Sequence, residues 1–222
     1  MNWFSTFMNS SIGKKVLMAT TGLLLCSYLI IHLLGNLTLF AGEETFNNYV
    51  LTLSSIKPLV RVIEVILALI FLAHIINGAR LFIENRKAKA GGYLINKAGA
   101  NSSVFSRIMG LTGSVIFVFL AIHLQTIWYN FQTEHESGEF YQILMDKHLG
   151  LGNILISGLY MIAMLLLAFH LRHGFQSAFQ TFGIRYNRYG KLIEIIAVLF
   201  WLIIPLGFLL IPLYFGFLKG VF

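Results

Sequence analysis

The stretch that decides the fold runs from Pro58 to Ile83 and reads PLVRVIEVILALIFLAHIINGARLFI, 26 residues of which only Arg61, Glu64 and Arg80 carry a full charge. A helix needs about 20 mostly apolar residues to cross about 30 Å of hydrocarbon. Four more runs in the chain meet the same requirement. We therefore predict five membrane spans, numbered 1 to 5 in chain order: 16–41, 58–83, 104–131, 150–182 and 192–218.

The composition favours the same class of protein. Of the 222 residues, 57% are hydrophobic and 11% are charged, with a mean hydropathy of +0.77, whereas soluble domains contain about 45–50% apolar and about 25% charged residues. A cytosolic enzyme is therefore not expected. We predict an all-α, polytopic membrane protein that forms a single domain over residues 1–222, without strands and without an internal repeat.

Three local features refine this prediction. Span 1 is too long for a signal-peptide core and carries His32 deep inside, so we expect it in the mature protein. Pro205 and Pro212 fall within span 5 and predict a kink there. Cys26 is the single cysteine, which excludes a disulfide framework and a cysteine metal cage.

The basic residues predict the orientation of the spans in the membrane. Loops on the cytoplasmic side are enriched in Lys and Arg, and twelve of the sixteen fall on the side that holds the N-terminus. We therefore expect the N-terminus inside, and the net charge of +7 becomes a topology signal rather than a sign of nucleic-acid binding. The twelve are Lys14, Lys15, Arg80, Arg86, Lys87, Lys89, Lys97, Arg107, Arg172, Arg185, Arg188 and Lys191, against Lys57, Arg61, Lys147 and Lys219.

Four of the five histidines within spans fall at two depths. At about 1.5 Å per residue, His32 and His123 each lie about 24 Å from the inner ends of the outward-running spans 1 and 3. His74 and His170 lie in the inner half, on the inward-running spans 2 and 4. The sequence thus predicts an outer layer, His32 with His123, and an inner layer, His74 with His170. His135 and His148 are expected to be solvated loop residues.

Paired histidines from different helices suit the axial ligation of a flat macrocycle. Haem iron accepts imidazole on both faces, and glycines near the ligands would let a porphyrin approach the backbone. Structural zinc would need four converging ligands. No CxxCH signal is present, so the prediction is two non-covalent haems b. The simpler alternative is that each histidine makes an inter-helix hydrogen bond.

Three polar residues near the inner layer are candidate haem-propionate partners. His173 lies one turn after His170 and is predicted to bond a propionate or a carbonyl rather than iron. Arg80 and Arg172 are further candidates. Their alternative role is as anchors whose side chains reach the inner membrane surface.

At these residues the sequence resembles a known family. The segments GLLLCSYLIIHLLGN (22–36), His74 to Gly78, Thr112-Gly113 to Leu124 and FHLRHG (169–174) look like the di-haem cytochrome b membrane anchor of succinate:quinone oxidoreductases, the succinate dehydrogenases and fumarate reductases. The single-chain, five-helix version is the most similar. The resemblance covers the whole chain in helix number, order and ligand placement.

The resemblance implies a role and partners. It implies a flavoprotein subunit, an iron–sulfur subunit, a quinone substrate such as menaquinone and a place in the bacterial cytoplasmic (inner) membrane. In the family, helices 1 and 3 share one haem and helices 2 and 4 the other, which assigns His32, His123, His74 and His170 as ligands. The chain would then transfer electrons and would not itself catalyse succinate chemistry.

The quinone site and the docking surface are less well defined by the sequence. Glu64 is the candidate group for proton transfer to quinone, with a salt bridge to Arg61 or Lys57 as its alternative role. Residues 1–11 resemble an interfacial segment. Basic residues on the inner side are expected to dock the iron–sulfur subunit or anionic lipid: Arg86, Lys87, Lys89, Lys97, Arg107, Arg185, Arg188 and Lys191.

Two other classes of function remain open at this stage. The chain can be a haem-free membrane anchor or transporter that uses its histidines as hydrogen-bond donors. It can also be a haem b subunit of another quinone-linked enzyme, such as a hydrogenase or formate dehydrogenase. The occurrence of one histidine in each of spans 1 to 4 argues against the latter.

Overall fold

A computed structural model of the chain describes residues 2–88, 102–133, 138–184 and 189–219, apart from the side chain of Phe4. Five helices are long and apolar enough to cross a membrane: Ser11–Ala41, Lys57–Ala88, Met109–Thr133, Ile154–Thr181 and Gly190–Leu218. The described residues contain no strand. The prediction of an all-α protein with five membrane spans is confirmed.

The two ends of span 1 are defined by local hydrogen bonding. A short helix, Trp3–Asn9, precedes it, and the Ser10 hydroxyl caps span 1 by accepting a hydrogen bond from the Gly13 amide. At the other end the helix tightens into a 3₁₀ turn, Thr38–Ala41, and stops at Gly42. Gly42 has φ +102°, a conformation that side chains disfavour.

Two short helices cover the outer end of the bundle and were not predicted from the sequence. They are Glu43–Ser55, between spans 1 and 2, and Phe140–Leu144, between spans 3 and 4. Both are too short and too polar to register as spans. Phe46 and Phe140, one from each short helix, are buried, and both contact the ring of Phe131. The loops at this end of the bundle therefore form a folded cap.

Span 4 begins at Ile154, four residues later than predicted. The Asn153 side chain accepts hydrogen bonds from the amides of Leu155 and Ile156 and therefore caps the helix there. The apolar residues just before it belong to a tight turn, in which Leu151 donates to the carbonyl of Leu144 at 2.7 Å. Apolarity alone did not distinguish this turn from helix.

Spans 3 and 5 contain wider helical turns. A π turn, Leu124–Trp128, follows Met109–His123 in span 3. Span 5 is built from Gly190–Val198, a π turn at Leu199–Ile203, Ile204–Leu213 and a π turn at Tyr214–Leu218. Pro205 and Pro212 each lie two residues from one of these π turns. The irregularity predicted for span 5 therefore appears as two π turns, in which the backbone hydrogen bonds change from the α to the π pattern.

The packing places spans 1 and 4 at the centre of the molecule. Span 1 packs against spans 2, 4 and 5, and span 4 packs against spans 1, 3 and 5. Spans 1 to 4 therefore lie in the order 2-1-4-3, with span 5 behind spans 1 and 4. The core between spans 4 and 5 includes the stacked rings of Phe175 and Phe200, 4.6 Å apart.

Spans 2 and 3 complete a four-cornered arrangement through side chains near their ends. At one end Arg61 donates a hydrogen bond to Gln132. At the other end the ring of Phe82 lies against Gly110 so closely that a Cβ atom would be only 2.5 Å from it. Histidines on opposite corners, spans 1 and 3 or spans 2 and 4, can therefore meet across the centre.

Candidate functional site

The structure brings together two pairs of histidines. The ring centroids of His32 and His123, the outer pair, are 5.9 Å apart with an interplanar angle of 84°. The centroids of His74 and His170, the inner pair, are 6.5 Å apart with an angle of 66°. Each pair joins diagonally opposite spans, and the partners are those expected from helical depth.

The separations fit an iron porphyrin ligated by imidazole on both faces. An imidazole nitrogen binds a first-row metal ion at about 2.0 Å, and the ring centroid lies about 1.1 Å further out, so two opposed ligands place their centroids about 6 Å apart. Both observed distances lie close to that value. Among the described residues, no group of three or more His, Cys, Asp or Glu is placed to hold a bare metal ion.

The Nδ1 atoms of the inner pair face threonine hydroxyls on the adjacent span. His74 Nδ1 lies 3.0 Å from Thr21 Oγ1, and His170 Nδ1 lies 3.2 Å from Thr112 Oγ1. Metal-bound histidines almost always donate their second ring N–H to such a partner, which fixes the ring orientation. These contacts leave Nε2 as the ring nitrogen available on each histidine.

The outer pair has aromatic hydroxyl partners. His123 Nδ1 lies 3.2 Å from the Tyr160 hydroxyl of span 4. His32 Nδ1 lies 3.4 Å from the Tyr28 hydroxyl and 3.5 Å from Asn36 Nδ2, both on span 1 itself. The ring of Phe208 from span 5 also packs 5.5 Å from His32.

Sequence reasoning missed the residues that hold the histidines. Thr21, Thr112, Tyr160, Tyr28 and Asn36 are ordinary helix-surface residues until the neighbouring span is known. For Tyr28 and Asn36, the spacing of four residues on either side of His32 was a usable signal, because residues four apart share a helix face. For the two threonines and Tyr160, the partner lies on another helix and only packing reveals it.

Most of the glycines near the histidines have protein neighbours. A Cβ atom at Gly22 would lie 3.3 Å from His74 Cε1, and one at Gly113 would lie 3.5 Å from His170 Cε1. At Gly35 a Cβ would overlap the Tyr49 hydroxyl, and at Gly78 it would meet the Met18 methyl group at 3.2 Å. Gly22, Gly35 and Gly78 therefore admit side chains of neighbouring elements, Gly113 leaves an ordinary contact distance, and Gly174 faces open space.

The three propionate candidates lie in different surroundings. Arg80 donates a hydrogen bond to Asn9 Oδ1 at 2.9 Å. Arg172 is held between two aromatic rings, 4.4 Å from Phe105 and 4.6 Å from Trp201. His173 is half-buried one turn beyond His170.

Glu64 is engaged at the outer end of spans 2 and 3. Its Oε2 accepts a hydrogen bond from Arg61 Nη1 at 2.6 Å, and its Oε1 accepts one from Trp128 Nε1 at 3.0 Å. The Arg61 guanidinium also lies 5.6 Å from the centre of the Trp128 ring and bonds Gln132. The salt bridge expected as the alternative role of Glu64 is thus present with Arg61, within a cluster that links two spans.

The inner basic surface is only partly described. Arg86 and Lys87 are exposed at the end of span 2, and Arg107 donates to the Ser102 carbonyl oxygen at 2.6 Å. Nearby, Lys14 forms a salt bridge to Glu84 at 2.6 Å. Lys191 is exposed at the start of span 5. The other predicted docking residues, Lys89, Lys97, Arg185 and Arg188, lie outside the described residues, as does His135.

Together these features define a multi-pass helical membrane protein that carries two pairs of histidines in its bundle. Comparison with known families makes the assignment more specific: residues 15–99 match the model of the succinate dehydrogenase/fumarate reductase transmembrane subunit. The match covers 85 of the 222 residues and supports the resemblance to the membrane anchor of succinate dehydrogenases and fumarate reductases. No curated protein and no solved structure matches the chain.

Proposed function

We propose that the chain is a di-haem cytochrome b anchor that passes electrons between an iron–sulfur subunit and a membrane quinone. The observation that carries the proposal is the pair of diagonal histidine couples, with centroids 5.9 Å and 6.5 Å apart and Nδ1 atoms engaged by neighbouring side chains. Bound haem would supply one-electron transfer at its iron.

The four histidines are the proposed axial ligands, His32 with His123 and His74 with His170. Ligation on both faces leaves no open coordination position, which favours electron transfer over oxygen chemistry. Within a bilayer, the spans and the lipid around them would keep bulk water away from both pairs. In this proposal His173 and Arg80 serve the inner haem's propionates, and Arg172 joins them once it is released from its aromatic rings.

The proposed quinone site lies beside the outer pair, at the Glu64 cluster. Quinone reduction consumes protons, and a positioned carboxyl group can take up a proton from water and deliver it. Glu64 would pass a proton to a quinone oxygen, while Arg61 and Trp128 orient its carboxylate. Menaquinone is the proposed quinone.

The proposed partners lie on the inner side of the membrane. Family membership of the matched segment supports association with other succinate dehydrogenase or fumarate reductase subunits. We propose that these are a flavoprotein subunit and an iron–sulfur subunit, docked on the basic inner surface of a protein in the bacterial cytoplasmic membrane. Anionic lipid is the competing ligand for the same charges.

Purification of the complex and measurement of its haem content test the proposal. Two b-type haems per chain are expected, together with succinate:quinone activity and copurifying flavoprotein and iron–sulfur subunits. Replacement of His32, His74, His123 or His170 by alanine should each remove one haem signal. An intact preparation without reduced b-type absorption bands would contradict the proposal.

One observation favours a different class of function, that of a haem-free anchor or transporter. Each paired histidine already has a hydrogen-bond partner, which is what a purely structural histidine also requires. The same haem measurement separates the two. A haem-free protein that still assembles with soluble subunits would be a structural anchor, and the four histidines would then serve to join helices.

A further inference from the structure

Each histidine of the inner pair contacts a Thr-Gly dipeptide on a neighbouring span, and we call each of these two contact sites a seat. In the first, Thr21 bonds His74 Nδ1 while the adjacent Gly22 leaves room for His74 Cε1. In the second, Thr112 bonds His170 Nδ1 and the adjacent Gly113 faces His170 Cε1, which would lie 3.5 Å from a Cβ atom there, an ordinary contact distance. Each seat is therefore a Thr-Gly dipeptide on an odd-numbered span, which receives a histidine from the span that follows it.

Each of the two threonine hydroxyls has a backbone carbonyl that can accept its proton. Thr21 donates to the carbonyl oxygen of Leu17 at 2.7 Å, and Thr112 donates to that of Met109 at 3.2 Å. A hydroxyl has one proton to donate. With each hydroxyl proton on its backbone carbonyl, the threonine oxygen would accept from the histidine, so that Nδ1 would carry the hydrogen and Nε2 would present its lone pair.

The seats belong to a repeat that the sequence analysis did not predict. Span 1 reads Thr21-Gly22, nine residues, His32, and span 3 reads Thr112-Gly113, nine residues, His123. The spans that follow each contain a histidine with glycine four residues later, His74 with Gly78 and His170 with Gly174. Spans 1–2 and spans 3–4 therefore share one spacing of threonine, glycine and histidine.

We propose that Thr21 and Thr112 are positioning residues that hold His74 and His170, respectively, as ligands of the inner haem. The proposal rests on the function proposed above. In this proposal, spans 1 and 3 supply His32 and His123 as the ligands of the outer haem. The threonines of the same two spans position the ligands of the inner haem. The outer ligands depend instead on Tyr160, Tyr28 and Asn36.

The expected effect follows from ligand basicity. A hydrogen bond donated from Nδ1 makes the imidazole a better donor to iron and stabilises the more highly charged oxidised state. Thr21→Val and Thr112→Val remove the acceptor but keep the side-chain shape. Each should raise the reduction potential of the inner haem and leave that of the outer haem unchanged, and haem affinity at the inner site should fall by about 10- to 100-fold.

The test is a spectroscopic redox titration of the purified complex, in which the two haems are resolved. Thr21→Ser and Thr112→Ser retain the oxygen and should behave as the unaltered protein. Ser27→Ala and Ser114→Ala are matched controls, because those hydroxyls bond only a backbone carbonyl of their own helix among the contacts described. Tyr160→Phe should shift the outer haem instead.

The outcomes separate this proposal from the proposed function. Two haems with unchanged potentials in both valine variants would overturn the positioning role and leave the di-haem function intact, as would a shift of the outer haem. An unaltered complex without haem would overturn both. If a valine variant does not accumulate, the alanine variant at the same position is titrated, and the same shift of the inner haem is required.

Discussion

At the scale of single residues, the four paired histidines differ in how they are held rather than in how they are spaced. The inner pair rests on threonine hydroxyls from neighbouring spans, and the outer pair faces tyrosine hydroxyls. A threonine oxygen that donates its proton to a backbone carbonyl can only accept from the histidine, whereas a phenol can also donate. Under the proposed function, the two pairs would therefore give their haem ligands different electronic environments.

The choice between His170 and His173 is testable at this scale. His170 lies 6.5 Å from His74 and contacts Thr112, so His170→Ala should halve the haem content and remove the inner haem signal. His173→Ala should retain both haems, because its ring is not part of either pair. Haem content and redox titration measure this. If His173→Ala loses a haem and His170→Ala does not, then His173 and not His170 is the ligand.

Sequence patterns predicted the histidine pairs, because helical rise converts position in the chain into depth in the membrane. They did not predict the partners of those histidines. Thr21 and Thr112 lie 53 and 58 residues from the histidines they contact, and no local period encodes such a contact. The repeat itself rests on few identical positions, which are too few to stand out from an apolar background.

At the scale of elements, hydropathy located the five spans but not the helices that cover them. Span 1 and span 2 extend several residues beyond their predicted ends, because Ser11 to Lys15 and Glu84 to Ala88 continue the helix into the polar interface. Glu43–Ser55 and Phe140–Leu144 carry too few apolar residues to be recognised as spans. Their positions depend on Phe46, Phe131 and Phe140, which meet only in three dimensions.

The turn before span 4 should respond to acid through Asp146. Its carboxylate accepts hydrogen bonds from the amides of Leu149 and His148, at 2.7 Å and 2.8 Å, which hold the pKa of this carboxyl below its usual range. A lowered pKa in the folded state gives stability above the unfolded value of about 3.9 and loses it as the pH falls through the folded value. Amide protection factors at 148 and 149 should therefore decrease in that acid range.

Asp146→Asn provides the comparison for this turn. The amide oxygen still accepts hydrogen bonds but does not titrate in this range, so the acid step in protection should disappear. His148→Gln removes a neighbouring titratable group and should leave the step in place. A step of the same size in the Asp146→Asn variant would assign the acid sensitivity to another group.

At the scale of the whole molecule, the distribution of basic residues predicts the orientation of the bundle. The twelve-to-four division of basic residues predicts that the end of span 2 lies inside and that the loop before span 4 lies outside. In a Cys26→Ser background, Lys147→Cys should react with a membrane-impermeant maleimide in intact cells. Arg86→Cys should react only after the membrane is opened. The reverse labelling would invert the topology and exchange the inner and outer pairs.

The crossed pairing of spans also constrains how the protein matures. The chain is inserted from its N-terminus, and spans 1 and 2 together hold one histidine of each pair but no complete pair. Under the proposed function, neither cofactor can acquire both ligands until the second half of the chain has entered the bilayer. The outer site is completed with span 3 and the inner site with span 4, so each cofactor fastens the early half of the newly made chain to the late half.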